Sequence, residues 1–116
     1  MPDPYDAHEA EWIPFLRDEL KADKDTVVIG HSTGAVATMR LLEQIPLRGC
    51  VLVSACHTDQ GDKNEREMGY YSRPWLWDDM KKNVGSFGIH QFHSEDDLHS
   101  PVSEGRHVAK KLGSQY

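Results

Sequence analysis

The sequence predicts an α/β fold in one domain over residues 1–116, a three-layer sandwich with a parallel sheet of about three strands. Three short apolar runs are separated by segments whose apolar residues recur at helical spacing, which is typical of βαβ units. A chain of 116 residues is also long enough for one core and shows no internal repeat. Because sites in such sheets form at the carboxyl ends of strands, we expect functional residues just after each strand.

The elements are expected in this order. A first helix begins near Asp6 and is interrupted at Pro14, where a proline would kink it or start a second short helix. The three strands are expected at 26–29, 49–53 and 86–92, and the later helices at 35–45, 74–83 and 101–112. The strand at 26–29 is β-branched and does not alternate, which favours coverage on both faces.

Composition excludes several classes of partner and location. A formal net charge of −6 argues against nucleic acid, which binds basic surfaces. No run of apolar residues is long enough to cross a membrane, and the acidic N-terminus does not resemble a secretory signal. Two cysteines, Cys50 and Cys56, are too few for a disulfide scaffold. We therefore expect a protein of the cytoplasm, or alternatively of the nucleus.

The segment from Gly30 to Gly34 reads G-x-S-x-G, with Ser32 at its centre, between a predicted strand and a predicted helix. In that context the pattern indicates a nucleophile elbow, a sharp turn that strains the serine backbone. We expect both glycines to be needed because a Cβ would not fit at either position. The backbone N–H of Thr33 would then help to hold an oxyanion. The alternative is a plain β–α connection in which Ser32 only caps the helix.

A nucleophilic serine needs a base, and the base needs a group to orient it. Of the seven histidines, His99 is the most plausible substitute base, because the loop after the third strand could fold toward Ser32; His57 is a weaker candidate. Asp97 is either an orienting acid or a residue of a solvated turn that caps the next helix. The spacing of His93, Asp96, Asp97 and His99 fits no established zinc pattern, so we expect neither metal nor cofactor.

Four aromatic residues after the second strand have two interpretations. They could line an acyl pocket, or they could pack a helix onto the sheet. These residues are Tyr70, Tyr71, Trp75 and Trp77.

Several segments are more specific than the G-x-S-x-G pattern alone. They are Met1-Pro2-Asp3-Pro4, Trp12 with Pro14-Phe15, Gly30-His31-Ser32, Val51-Leu52-Val53-Ser54-Ala55, Gly61-Asp62 before Asn64-Glu65-Arg66, Arg73-Pro74-Trp75 and Asp96-Asp97. With them the chain resembles the retinoblastoma-binding protein 9 family of serine hydrolases, which are α/β-hydrolase-like. The resemblance implies that Ser32 is the nucleophile and Asp97 the triad acid, acting on small esters or amides through an acyl-enzyme.

The resemblance also implies differences from the family. Family members have strands and a Gly-rich turn ahead of the position of Met1, and a last strand with the triad histidine beyond the position of Tyr116. We therefore expect the truncated core of the fold, lacking the expected catalytic histidine and weak or inactive as a hydrolase. Two open sheet edges would favour a homo-oligomer or a covering helix or terminus. The alternative is a non-catalytic regulatory protein that binds a protein partner.

A proposed retinoblastoma-binding segment of the family, Leu-x-Cys-x-Glu, would fall at residues 20–24. Here Ala22 and Lys24 replace the cysteine and the glutamate. The resemblance therefore does not favour binding of the retinoblastoma protein.

Overall fold

The computed structural model of the protein describes residues 1–3 and 5–116. Three parallel strands lie in the order β1-β2-β3. The elements are α1 (Glu9–Pro14), a π-helical turn (Phe15–Glu19), β1 (Val27–His31), α2 (Thr33–Gln44), β2 (Leu47–Val53), α3 (Lys63–Glu67), α4 (Trp77–Asn83), β3 (Val84–Phe92) and α5 (Val102–Leu112). The predicted α/β fold with a parallel sheet of three strands is confirmed.

One face of the sheet carries the core. Strand register brings its residues into two rows across the sheet, namely Val28, Cys50 and Ile89, and Gly30, Leu52 and Gln91. Helix α2 lies over this face at Gly30, and α5 lies over it at Gln91, whose Nε2 donates to the carbonyl oxygen of Gly105 at 3.1 Å. The other helices continue this layer, since α2 contacts α1 and α4, and α4 contacts α5.

The opposite face, called the open face below, carries no helix from the described part of the chain. It consists of three rows, Val27, Gly49 and Gly88, then Ile29, Val51 and His90, then His31, Val53 and Phe92. Ile29 is 73% exposed and Phe92 is 62% exposed. The expectation that β1 is covered on both faces is therefore wrong here. The described residues form two layers of the predicted sandwich, namely the sheet and, on its other face, the layer of α1, α2, α4 and α5.

The two glycines of the turn between β1 and α2 differ in whether a Cβ would fit at their position. A Cβ at Gly30 would lie 2.7 Å from the backbone nitrogen of Ala35 and closer still to the carbonyl group of Gly34. A Cβ at Gly34 would meet nothing within 4 Å. Only Gly30 is sterically required, so the expectation for Gly34 is wrong. The reason is that Gly34 turns its carbonyl group toward Gly30, whereas its own Cβ position points into open space.

Arg40 of α2 holds the segment that leads to α4. Its buried guanidinium donates to the carbonyl oxygens of Tyr70 at 2.7 and 2.9 Å, Arg73 at 2.7 Å and Pro74 at 3.0 Å. It also pairs with Glu43 at 2.8 Å, and burial lowers its pKa while Glu43 opposes that shift. These bonds explain why the helix predicted from Pro74 begins only at Trp77, because the carbonyl oxygens of Arg73 and Pro74 already accept hydrogen bonds from Arg40.

A short helix, α3, lies in the segment between β2 and α4. Asp62 caps α3, because its side chain accepts the backbone N–H groups of Asn64 at 2.8 Å and Glu65 at 3.1 Å. The first helix changes to a π-helical turn after Pro14, which agrees with the predicted interruption.

In the part of the chain that the structure describes, no helix combines the length and the apolar character needed to span a membrane.

The two outer edges of the sheet differ. At β3, the backbone N–H of Gln91 donates to the carbonyl oxygen of Gln115 at 2.7 Å, and the N–H of Gln115 donates to Ile89 at 2.9 Å. The C-terminal segment therefore covers part of this edge, one of the two outcomes expected for it. At β1, the even-numbered residues bond to β2, since Ser32 donates to Val53 at 2.8 Å. The backbone groups at the outer edge of β1 belong to Val27, Ile29 and His31.

The glycine contacts predict opposite effects for two alanine substitutions. Gly30→Ala should lower the free energy of unfolding by about 3 kcal/mol, because its Cβ meets backbone that cannot move independently. Gly34→Ala should leave stability unchanged or raise it by up to about 1 kcal/mol, because alanine favours the helix. Urea denaturation followed by circular dichroism measures both. Equal effects of the two substitutions would contradict the steric explanation.

The buried guanidinium predicts a second pair of effects. Arg40→Met should destabilise the protein by about 3–5 kcal/mol, because it leaves the Glu43 carboxylate and three carbonyl groups without their donor. Arg106→Met, which changes an exposed arginine of α5, should alter stability by less than about 0.5 kcal/mol. Thermal and urea unfolding compare the two variants. A small effect at Arg40 would show that segment 70–75 does not depend on it.

Candidate active site

Ser32 lies at the junction of β1 and α2 in a strained backbone conformation. Its φ is 54° and its ψ is −115°, a combination that is unfavourable for a residue with a Cβ. Its N–H donates to the carbonyl oxygen of Val53 at 2.8 Å, and its own carbonyl accepts from Ala35 at 3.0 Å and Val36 at 3.1 Å. Ser32 occupies the N-cap position, but its side chain makes no capping bond. The alternative in which Ser32 only caps the helix therefore does not fit, because its hydroxyl makes no capping bond.

Helix α2 leaves backbone donors beside this hydroxyl. The first N–H groups of an α-helix have no acceptor within the helix, and here the capping side chain supplies none. Thr33 is the first residue of α2, so its N–H is one of these donors. The helix dipole adds a partial positive charge at the same end. A developing negative charge next to Ser32 would be stabilised here.

Ser32 opens onto a cavity of about 290 Å³ at the carboxyl end of the sheet. Its lining comes from the β1–α2 turn, the segments after β2 and the loop after β3. These residues are Ser32, Thr33, Val36, Cys56, Asp59, Gln60, Asp62, Glu65, Tyr71, His99 and Ser100. The structure thus places three predicted site residues, Ser32, Thr33 and His99, at one cavity. The fourth, Asp97, is adjacent to it through the backbone of His99 and Ser100.

Asp97 holds the loop that carries His99. Its Oδ1 accepts the backbone N–H groups of His99 at 2.9 Å and Ser100 at 2.8 Å, and its Oδ2 accepts the Ser54 hydroxyl at 3.0 Å. These bonds lower the pKa of Asp97, the one from Ser100 most strongly. The carboxylate therefore stays ionised at neutral pH and joins the loop after β3 to the end of β2.

The imidazole that approaches the Asp97 carboxylate is not that of His99. His93 Nε2 lies 3.8 Å from Asp97 Oδ2 and bonds to the carbonyl oxygen of Ser100 at 2.7 Å. Its side chain is fully buried, so it packs beneath the loop. The ring of His99 is exposed and forms no hydrogen bond with the described residues. Asp97 thus fixes the His99 backbone and leaves its ring free.

His57, the weaker base candidate, belongs to a separate cluster. Its ring stacks on that of His107 with 3.8 Å between centroids, and its Nδ1 lies 3.2 Å from Glu104 Oε2. Burial lowers the pKa of His57, while Glu104 raises it and His107 lowers it further. The same Glu104 accepts the N–H of Thr58 at 3.0 Å, so the cluster fixes the segment after β2. It is not part of the Ser32 cavity.

Three carboxylates also line the cavity and form what is called the acidic wall below, and no role was predicted for them from the sequence. Asp59 pairs with Arg66 at 3.1 Å, and Asp62 caps α3. Burial raises the pKa of Glu65, and the charges of Asp62 and Asp59 raise it further. The sequence signal for this wall is Gly61-Asp62 with Asn64-Glu65-Arg66, one of the segments in which the chain resembles the family.

The four aromatic residues have different positions. Tyr71 lines the Ser32 cavity, whereas Tyr70 is fully buried in the core. Trp75 lies 3.6 Å from the Arg40 guanidinium and stacks on Trp77, and both line a separate depression. The packing interpretation therefore fits three of them, and Tyr71 alone fits the pocket interpretation. Among the residues that the structure describes, no group of three or more metal-ligating side chains is arranged to hold a metal ion.

Comparisons with known proteins identify the family of this chain. The family model described as Serine hydrolase matches residues 1–116. Serine hydrolase RBBP9 of Rattus norvegicus is 46% identical over 115 residues, which is 99% of this chain and 61% of the rat protein. The chain thus spans less than two thirds of that relative's length.

A solved structure supports the fold independently. The ydeN gene product of B. subtilis superposes with a TM-score of 0.83 at 22% identity, over 98% of this chain and 62% of that one. This likeness shows a shared fold. The predicted relation to the retinoblastoma-binding protein 9 hydrolases is confirmed by the family model and the rat relative together: this chain belongs to the serine hydrolase family.

Proposed function

We propose that this chain hydrolyses small esters or amides through an acyl-enzyme formed on Ser32. The observation that supports the proposal best is the Ser32 backbone, strained at φ 54° while its side chain caps nothing. A serine that served only the fold would gain nothing from this strain, which is found mainly at functional sites. The free donors of α2 and the adjoining cavity support the same role.

In the proposed reaction, Ser32 Oγ bonds to the carbonyl carbon of the substrate while its proton passes to a ring nitrogen of His99. The Thr33 N–H donates to the oxygen that becomes negative. The bond to the leaving alcohol or amine then breaks, and the leaving group takes the proton from His99. Water attacks the acyl-enzyme with His99 again accepting a proton, which releases the acid and restores Ser32.

The proposed reaction is slow. Asp97 positions His99 through its backbone N–H, so the ring is not pre-oriented as it is in a complete triad. A hydrolase that lacks a triad member keeps roughly 10³–10⁴-fold acceleration over water, from binding and oxyanion stabilisation. We expect that range for the variant without His99, and for the wild-type chain only about 10²-fold more, the share that a base of this kind contributes.

The acidic wall restricts the substrate. Asp59, Asp62 and Glu65 line the cavity, so an acyl group that carries its own carboxylate would be repelled. Uncharged esters and amides therefore fit the site better.

Cys50 and Cys56 are both free thiols, and we place the activity in a reducing compartment, the cytoplasm or the nucleus.

A second candidate function is binding to a protein partner without catalysis. The open face favours it, because apolar residues such as Ile29 and Phe92 are exposed there. The retinoblastoma protein is not the favoured partner. Leu20 of the segment at 20–24 is 59% exposed, but Ala22 and Lys24 still replace the two other residues of the pattern.

A fluorophosphonate probe tests the nucleophile. The probe should label the wild-type chain covalently, and Ser32→Ala should lose the label, because no other serine is proposed to be activated. Ser86→Ala is the matched control, since Ser86 is an exposed serine at the far end of β3 and should keep full labelling. Mass spectrometry locates the adduct. Labelling of Ser32→Ala at the wild-type level would refute the proposal.

The base is tested by ester hydrolysis. His99→Ala should slow turnover of p-nitrophenyl acetate by about 10²-fold, the lower end of what a general base contributes. His8→Ala, at the N-cap of α1, should leave the rate within about twofold, since the His8 side chain makes no capping bond and does not line the Ser32 cavity. If His99→Ala retains the wild-type rate while Ser32→Ala is inactive, the proton acceptor is another group.

A further inference from the structure

Three titratable side chains, His57, His107 and Glu104, join helix α5 to the segment after β2. The rings of His57 and His107 stack with 3.8 Å between centroids and 9° between planes. On the same side, His57 Nδ1 lies 3.2 Å from Glu104 Oε2. Histidine titrates between about pH 5 and pH 8, so the contact contains two rings whose charge changes near neutral pH.

This cluster supports one wall of the Ser32 cavity. Glu104 Oε1 accepts the Thr58 hydroxyl at 2.7 Å, the Thr58 N–H at 3.0 Å and the His57 N–H at 3.3 Å. The residues that follow, 59–60, line the cavity. A change that separates α5 from His57 and Thr58 therefore removes support from this wall.

The charges around His57 act in opposite directions. Burial disfavours its charged ring most, the Glu104 carboxylate favours that ring, and a proton on His107 disfavours it again, so the pKa of His57 is lowered. A neutral pair of rings can stack, and a single positive charge is balanced by Glu104. A pair in which both rings are protonated carries a second positive charge that Glu104 does not balance, at a distance where like charges repel strongly.

The other groups near the two rings add no close charge to balance it. Trp77 meets His107 with 6.2 Å between ring centroids, and Trp75 donates its indole N–H to the carbonyl oxygen of His57 at 2.8 Å. The Cys56 thiol stays neutral, because burial raises its pKa. The charged residues around Trp77 are exposed, so solvent screens them; they are Asp78, Asp79 and Lys81 of α4 and Lys111 of α5.

We propose that the His57–His107 stack is an acid-sensitive contact, which holds α5 against the segment after β2 at neutral pH and separates when both rings are protonated. Separation weakens the bonds from Glu104 to His57 and Thr58 and loosens the cavity wall at 59–60. Because His57 binds a proton more weakly in the folded chain than in the unfolded chain, the stability from this contact is present above the ordinary pKa of histidine and is lost as the pH falls. The contact responds to acid independently of any reaction at Ser32.

Proton NMR titration of the histidine rings tests the pair. His107→Phe keeps an aromatic ring against His57 and removes the second charge, so the titration midpoint of His57 should move to higher pH. His8→Phe is the matched control: His8 lies at the N-cap of α1, and its replacement should leave the His57 midpoint unchanged. An unchanged His57 midpoint in His107→Phe would show that the two rings are not coupled and would overturn the proposal.

Hydrogen exchange at the Thr58 N–H tests the effect on the cavity wall. Between about pH 7.5 and about pH 5.5, where histidine titrates and ordinary carboxylates do not, the protection factor of this N–H should fall about tenfold in the wild-type chain. It should stay nearly constant in His107→Phe, because Glu104 balances the one remaining charge. His57→Phe should behave in the same way, which keeps the comparison valid if the first variant does not fold.

The backbone N–H of Ile45 is the internal control for exchange. It bonds to Leu41 at the end of α2, so its protection should not follow the titration of the stack in any of these chains. Protection of Thr58 that does not change with pH in the wild-type chain would contradict the acid-sensitive contact. An equal loss of protection in the wild-type chain and both phenylalanine variants would contradict it as well.

Discussion

The contact between Gly30 and the first turn of α2 is the constraint on which the rest of the structure depends. A Cβ at Gly30 would meet the backbone at Gly34 and Ala35, so strand and helix approach as closely as two backbones can. Ser32 lies within this close approach with a positive φ of 54°, and the turn sets the direction in which α2 leaves the sheet. Because α2 also carries Arg40, the same contact places the guanidinium that organises segment 70–75, and with it Tyr71 at the Ser32 cavity.

Hydrogen bonds from side chains hold the backbone around Ser32 in place, but none holds the ring of His99 among the described residues. Ser54 and Asp97 join the ends of β2 and β3. Glu104 holds the segment after β2 from α5, through the N–H and hydroxyl of Thr58. The ring of His99 has no comparable support among the described residues. A site of this kind can position a nucleophile and an oxyanion donor better than it can transfer a proton, since proton transfer needs a base held within hydrogen-bond distance.

The two faces of the sheet show how one kind of sequence serves two environments. Neither face carries Asp, Glu, Lys or Arg in these rows and both carry branched aliphatic residues, yet one face is buried under helices and the other is exposed. Burial of Arg40 is the opposite case, because a charged side chain lies in the core with every donor engaged. Residue type thus predicts which surfaces tend to be buried, and the tertiary contacts of each residue determine whether it is buried.

The sequence by itself determined the order of strands and helices, the parallel sheet and the turn at Ser32, because these follow from local periodicity and from glycine at a fixed spacing. It also identified Thr33, Asp97 and His99 as candidates. Only the tertiary structure decided that Gly34 is free of steric demand, that Asp97 binds the His99 backbone instead of a ring, and that β1 has one exposed face. The first two outcomes depend on the direction of a Cβ position and of a carboxylate within a turn, and the third depends on which face of the sheet the helices cover. The spacing of apolar residues along the chain encodes none of these.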